Sequence, residues 1–223
     1  MKYDLILFDL DGTLVNTLEA IEKTVNLSLE EMNLKKYPKH KYNELIGYGV
    51  EGIVERIFLM EGYDKDTVNP EKMKEKIRKY YALHYNYNVK MYEGIKELLD
   101  FMKENNIKSG IVTNKDHELA LMTVAKNLPD WEFVDIIGAS DGKYPRKPHP
   151  YGIEKIAEKT AVAKERILYV GDMEADVKTA ENAGVDIVYC NWGFGKMKGE
   201  AGIPEDIKVE DVGEIILKIK GKE

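Results

Sequence analysis

At 223 residues with 43% hydrophobic side chains, the chain is long enough for one large domain, or a core plus a smaller one, and apolar enough to bury an interior. Its 33 Lys and Arg stand against 40 Asp and Glu, a net charge of -7, which excludes a general electrostatic grip on nucleic acid or an anionic membrane and leaves any anionic ligand to a local cationic site. The single Cys190 excludes an internal disulfide, and no apolar stretch approaches the roughly 18 to 20 residues of a membrane span.

Met1-Lys2-Tyr3-Asp4 leads straight into a strand rather than into a signal-peptide core, so a cytoplasmic protein is expected. Leu5 to Phe8 is apolar at every position, as in a strand buried on both faces. It stops in Asp9-Leu10-Asp11-Gly12-Thr13-Leu14. Residues two apart on an extended chain point the same way, so Asp9 and Asp11 converge, and Gly12 lets the backbone turn away. Two such carboxylates repel unless a cation lies between them, which reads as a metal-assisted acid or nucleophile pair; Asp and Gly would also serve a plain turn.

From Asn16 to Val89 no β-like run occurs and helical periodicity dominates, as in an inserted helical domain. The expected division is residues 1-15 and 90-223 as an α/β core and 16-89 as the helical insertion. Asn69-Pro70-Glu71 is a helix start, with a capping residue, a proline at the first helical position and an acid in the first turn. The basic and aromatic residues from Lys72 to Tyr85 are interleaved with acids and read as a solvated face rather than a nucleic-acid surface. Asp64, Asp66 and Asn69 lack the glycine and terminal acid of a calcium loop.

Beyond Asn105, short apolar runs alternate with amphipathic segments, the pattern of parallel strands joined by helices. Expected strands are Lys108 to Val112, Phe133 to Ile137, Arg166 to Val170 and Val185 to Tyr189, making five with the first. Expected helices are Glu118 to Asn127, Gly152 to Lys159 and Glu174 to Asn182, the last stopped by Gly184, and Ile207 to Lys220 closes the chain as a helix or a strand plus helix. In a parallel sheet, ligands collect at the carboxyl ends of the strands. Those ends carry Asp9 and Asp11, then Thr113-Asn114-Lys115, then Gly171-Asp172-Met173-Glu174-Ala175-Asp176, and Lys147 stands between prolines in Pro145-Arg146-Lys147-Pro148.

This inventory of acids, hydroxyl, amide and ammonium suits a divalent metal and a phosphoryl group. Asp9 and Asp172 offer the hard oxygens that Mg2+ prefers. Asp9 is the candidate nucleophile for an aspartyl phosphate, with Asp11 as the proton carrier. Thr113, Asn114 and Lys147 would hold phosphoryl oxygens, and Asp176, one helical turn past Asp172, would orient the site or pair with Lys147. His117, beside the capping Asp116 and Glu118, carries no expected chemistry, and Cys190 reads as a small buried residue.

Taken in this order, Asp9-Leu10-Asp11-Gly12-Thr13-Leu14, Thr113-Asn114, Lys147-Pro148 and Gly171-Asp172 with Asp176 resemble the four motifs of the haloacid dehalogenase-like phosphohydrolases, and the resemblance covers essentially the whole chain. It implies an α/β fold with a Rossmann-like parallel sheet and an inserted α-helical cap of type C1. It also implies Asp9 as nucleophile, Asp11 as acid/base and backbone-carbonyl ligand, and Asp172 completing a Mg2+ site with Asp9. Val112-Thr113-Asn114-Lys115, Lys147-Pro148-His149-Pro150 and the stretch from Leu45 to Arg56 are most similar to phosphoglycolate phosphatases, which makes phosphoglycolate the leading substrate and Arg56 a candidate for its carboxylate. An arginine on a solvated helix is the alternative for Arg56.

The implied partner is a small phosphorylated metabolite, with no nucleic acid and no membrane, and the chain is expected as a monomer or homodimer. Alternatives are a phosphomutase of the same fold, which Gly12-Thr13 disfavours, a pyrophosphatase or nucleotidase, and a non-catalytic binding module. Two departures stand out: Asn16-Thr17 replaces the family's Asp-Ser hinge, and Met173 replaces the serine that usually follows the last motif's aspartate.

Overall fold

The structure is a computed structural model that describes residues 1-139, 143-199 and 202-221. In chain order it contains β1 (Leu5–Phe8), β2 (Val15–Asn16), α1 (Leu18–Glu31), α2 (Tyr42–Leu45), α3 (Gly49–Glu61), α4 (Pro70–His84), β3 (Lys90–Met91), α5 (Ile95–Glu104) and β4 (Lys108–Asp116). There follow α6 (His117–Asn127), β5 (Ile136–Ala139), α7 (Tyr151–Thr160), β6 (Ile167–Gly171), α8 (Glu174–Ala183), β7 (Asp186–Cys190), α9 (Phe194–Lys198), β8 (Lys208–Val209) and α10 (Val212–Lys220).

The main sheet runs β5-β4-β1-β6-β7-β8, with every pairing parallel. All four residues of β1 are buried because both faces of the sheet are covered. Ile6 and Phe8 join one apolar cluster with residues of α5, α6 and α10, while Leu5 and Leu7 join another with α7 and α8. This is the two-residue strand period expressed as two helical layers. Each of these fully buried side chains contributes roughly 1.5 to 3 kcal/mol relative to exposure. From β1 the chain builds outward to β4 and β5, then returns to β1's other side for β6, β7 and β8. That reversal opens a crevice at the carboxyl ends of β4, β1 and β6.

The parallel α/β core matches the expected class, with β5 starting at Ile136 rather than Phe133 and three further differences. A sixth strand, β8, precedes α10, so the chain closes as strand plus helix. β4 runs on through Thr113 to Asp116, with a register shift against β5, because its polar end is buried in the crevice rather than released to solvent. Helix α5 was not anticipated, although Ile95, Leu98, Leu99 and Met102 recur at helical spacing and all are buried.

Residues leaving β1 return through a two-residue antiparallel ladder, Val15 opposite Met91 and Asn16 opposite Lys90. Between its strands α1, α3 and α4 form their own apolar cluster, which also takes in Leu119, Met173, Ala175 and Phe194 from the crevice rim. The helical segment therefore packs on the carboxyl edge of the sheet. Asn69 caps α4 as the sequence predicts, its side chain accepting from Glu71 N and Lys72 N. Among the described residues no helix is long and apolar enough to cross a membrane.

Candidate active site

Asp9 and Asp172 leave adjacent strands, β1 and β6, and both are buried. With Asp176 they form a cluster whose carboxylate oxygens lie within 4.8 Å of one another. Asp176 is committed within the protein. Its Oδ2 accepts from Asp172 N at 3.0 Å and Met173 N at 2.9 Å, closing the first turn of α8, and its Oδ1 receives Lys147 Nζ at 2.6 Å. Asp172 accepts from Thr13 Oγ1 and from Phe194 N, each at 2.7 Å.

Lys147 Nζ also stands 2.9 Å from Asp9 Oδ1 as an ion pair, yet off the hydrogen-bonding direction, so this buried oxygen accepts no well-formed hydrogen bond. Burial pushes the Asp9 carboxyl up to about 6 against the pull of Lys147, with Asp176 adding repulsion. Burial and then the nearby Asp9 and Asp176 push Asp172 well above the usual carboxylate range. Desolvated, mutually repelling hard oxygens with an open lone pair on Asp9 fit a small divalent cation such as Mg2+.

Close backbone approach makes this packing feasible. A Cβ on Gly12, whose φ is +94°, would lie 2.3 Å from Asp172 Oδ2, and one on Gly193 would lie 2.3 Å from Asp172 Cβ. Gly12→Ala is expected to displace the Asp172 carboxylate, lowering turnover about a hundredfold and stability by about 1 to 3 kcal/mol. Paired activity and urea-unfolding measurements check both.

Asp11 turns away from the carboxylate cluster. Lys115 Nζ reaches its two oxygens at 3.0 and 2.8 Å, and Thr17 Oγ1 donates to Oδ1 at 2.8 Å. The Asn16-Thr17 hinge thus makes hydrogen bonds of its own, since Asn16 Oδ1 also accepts from Leu18 N at 3.1 Å. Thr113 lies beside Asp9 on the crevice floor. Asn114 spends its amide on the backbone of Lys147, donating to its carbonyl at 3.2 Å and accepting from its N–H at 2.7 Å, which holds the lysine's loop against β4.

Arg56 is not brought to the crevice. Its guanidinium donates to the carbonyls of Leu45, Ile46 and Gly47 at 3.1, 2.7 and 2.8 Å, satisfying the end of the short helix α2. Cys190 is buried, and burial pushes its thiol well up. His117 Nδ1 accepts from Gly138 N at 3.4 Å and its ring rests near Tyr144.

Sequence reasoning assigned no role to three groups. Tyr169 on β6 receives Lys147 Nζ at 3.2 Å and donates to Val112 O at 2.8 Å, and a lone phenol in an aliphatic strand was the available signal, because a buried hydroxyl needs a partner. Lys115 is buried between Asp11 and the Tyr81 hydroxyl of α4. At the rim, Glu51 of α3 meets Arg78 of α4 and Arg146 of the lysine loop, while Arg78 Nε also reaches Asp116 Oδ2 at 2.6 Å. Burial pushes the Glu51 carboxyl up, but its own backbone N–H, Arg146 and Arg78 outweigh this and hold it below the usual glutamate range.

A depressed folded-state value means that Glu51 contributes stability above its ordinary range near 4.5 and loses it as pH falls through the lower folded value. Glu51→Gln is therefore expected to be less stable than the parent at pH 7, with the gap closing between about pH 5 and pH 3. Urea midpoints across that window measure it.

The family model described as haloacid dehalogenase-like hydrolase matches residues 6-190. A phosphoglycolate phosphatase of Aquifex aeolicus is 30% identical over 196 residues, covering 87% of this chain and 88% of that protein. The Pyrophosphatase PpaX of Bacillus mycoides is 30% identical over 224 residues, covering 99% and 100%. A crystal structure described as a predicted phosphoglycolate phosphatase from Haemophilus somnus superposes with a TM-score of 0.83 at 26% identity, over 99% of both chains.

Proposed function

The chain belongs to the haloacid dehalogenase-like hydrolases, and on that premise we propose that it is a Mg2+-dependent phosphatase that hydrolyses a small phosphomonoester through an aspartyl phosphate on Asp9. The observation that carries this reading is the cluster of Asp9, Asp172 and Asp176 around Lys147 at the carboxyl edge of the sheet. Residues 1-15 and 90-223 supply the catalytic core, and residues 16-89 act as a cap over it.

Asp9 and Asp172, with the backbone carbonyl of Asp11, would hold the Mg2+. Bound there, the ion would cancel the repulsion between the attacking carboxylate and the phosphoryl oxygens. An Asp9 oxygen attacks phosphorus while the bond to the leaving oxygen breaks, and Asp11 delivers a proton to that oxygen. Water then attacks the same phosphorus, Asp11 takes its proton, and the bond to Asp9 breaks to return the carboxylate and release phosphate. Thr113 and Lys147 stabilise the phosphoryl oxygens as charge shifts. Asn114 acts through Lys147 by fixing its backbone. Lys115 and Thr17 orient Asp11, and Asp176 orients Lys147 and the start of α8.

The relatives' names put phosphoglycolate first in any substrate panel and pyrophosphate second. Arg56 lends phosphoglycolate no support, because its Nη1 is held on the carbonyls of Leu45, Ile46 and Gly47 and its side chain is not part of the cavity lining. The test is turnover of a generic aryl phosphate by the purified protein with Mg2+, after EDTA, and after Mg2+ is restored. Activity is expected to vanish with chelation and return with the metal. Activity that survives both EDTA and Asp9→Asn would sink the mechanism.

A further inference from the structure

Resting on that phosphatase reading, we propose that the organic half of the substrate is uncharged and predominantly apolar, and that esters bearing a second anion beside the phosphate are discriminated against. The catalytic floor opens into a cavity of about 90 Å³ beneath the helical segment. Its upper wall is built by Ile21 and Val25 of α1, Val50 and Ile53 of α3, Ile77 of α4 and Leu119 of α6.

Among the described residues lining this cavity the cations are Lys115 and Lys147, and both are committed. Lys147 lies between Asp9 and Asp176, and Lys115 grips both oxygens of Asp11. Arg56, Arg78 and Arg146 stand outside the lining, the first on backbone carbonyls and the other two on Glu51, with Arg78 also on Asp116. The positive end of α3, which enters the cavity at Gly49 and Val50, already has its anion, because the Glu51 carboxylate accepts from its own backbone N–H.

Charge accounting points the same way. Three ionised floor carboxylates, Asp9, Asp172 and Asp176, beside an Asp11 that carries the proton for the leaving oxygen, face two ammonium groups, so a divalent cation leaves the floor with a single positive charge and a phosphoryl dianion already exceeds it. A carboxylate on the substrate, its second anion, would be lodged against Val50, Ile53 and Ile77 without a cationic partner, a costly way to bury a charge. An alkyl or alkenyl group buries apolar surface against the same side chains.

The test compares phosphoglycolate with two planar esters of closely similar shape, methallyl phosphate and phosphoglycolamide, by kcat/KM in Mg2+. Methallyl phosphate is expected to exceed phosphoglycolate by about tenfold or more, with the amide between them. In Val50→Lys, which sets a cation in the upper wall, the ratio is expected to move toward phosphoglycolate by about tenfold. A kcat/KM for phosphoglycolate equal to or above that for methallyl phosphate overturns the inference and leaves the phosphatase reading standing. No turnover of these esters or of an aryl phosphate overturns the phosphatase reading, and the inference with it.

Discussion

Asp9→Asn is expected to lower kcat by about a thousandfold or more while leaving the protein at least as stable as the parent. The amide has the size of the carboxylate but, being neutral, is a far weaker nucleophile toward phosphorus. The two effects separate because the carboxylate is held at a cost. It is buried, pushed up to about 6, and compensated only in part by Lys147. A neutral amide relieves that desolvation, the usual exchange between catalytic power and stability at a preorganised site. Turnover of an aryl phosphate and urea unfolding in EDTA read the two quantities. A variant that lost activity only because it had unfolded would assign Asp9 to the fold rather than to the chemistry.

Lys147→Met carries the second largest expected effect, and here stability and activity fall together. The ammonium lies 2.6 Å from Asp176 Oδ1 and 2.9 Å from Asp9 Oδ1, with its side chain 4% exposed. Methionine keeps much of the apolar stem and removes the charge, leaving buried carboxylates facing one another. Breaking such a pair from one side costs about 3 to 5 kcal/mol in metal-free protein. Loss of a preorganised cation at the phosphoryl group is expected to lower kcat about a hundredfold or more. Mg2+ is expected to restore part of the stability, because an ion that Asp9 and Asp172 would hold together only in the folded chain favours the folded state. Urea midpoints in EDTA and in Mg2+ measure both halves of this statement.

The legible part of the site consists of residues that break a local pattern. Asp9 and Asp11 end an apolar strand, Asp172 ends another, and Lys147 sits between prolines, so each announces itself within a few positions of the chain. The supporting contacts are illegible for the opposite reason. Lys115 meets Asp11 across 104 positions and Tyr81 across 34, and the Glu51, Arg78 and Arg146 group joins two helices to a distant loop. Such pairs are created by topology, and no member alone announces its partner.

Arg56 shows the converse. The resemblance to phosphoglycolate phosphatases implied an arginine aimed at the crevice, whereas the carbonyls at the end of the four-residue α2 hold its Nη1. For the fold, the parallel strands and flanking helices followed from apolar runs and their spacing. β8 was too short to stand apart from the helix after it, and the polar end of β4 did not read as strand because its burial depends on the site around it.

The central claim is that Asp9 carries the phosphoryl group. Acid quenching during steady turnover, followed by borohydride reduction, converts an aspartyl phosphate to homoserine, which mass spectrometry locates by peptide. Homoserine at Asp9, formed with substrate and Mg2+ and missing when either is withheld, is the predicted result. An unmodified Asp9 peptide under conditions of full turnover, or homoserine at another aspartate, would contradict the account.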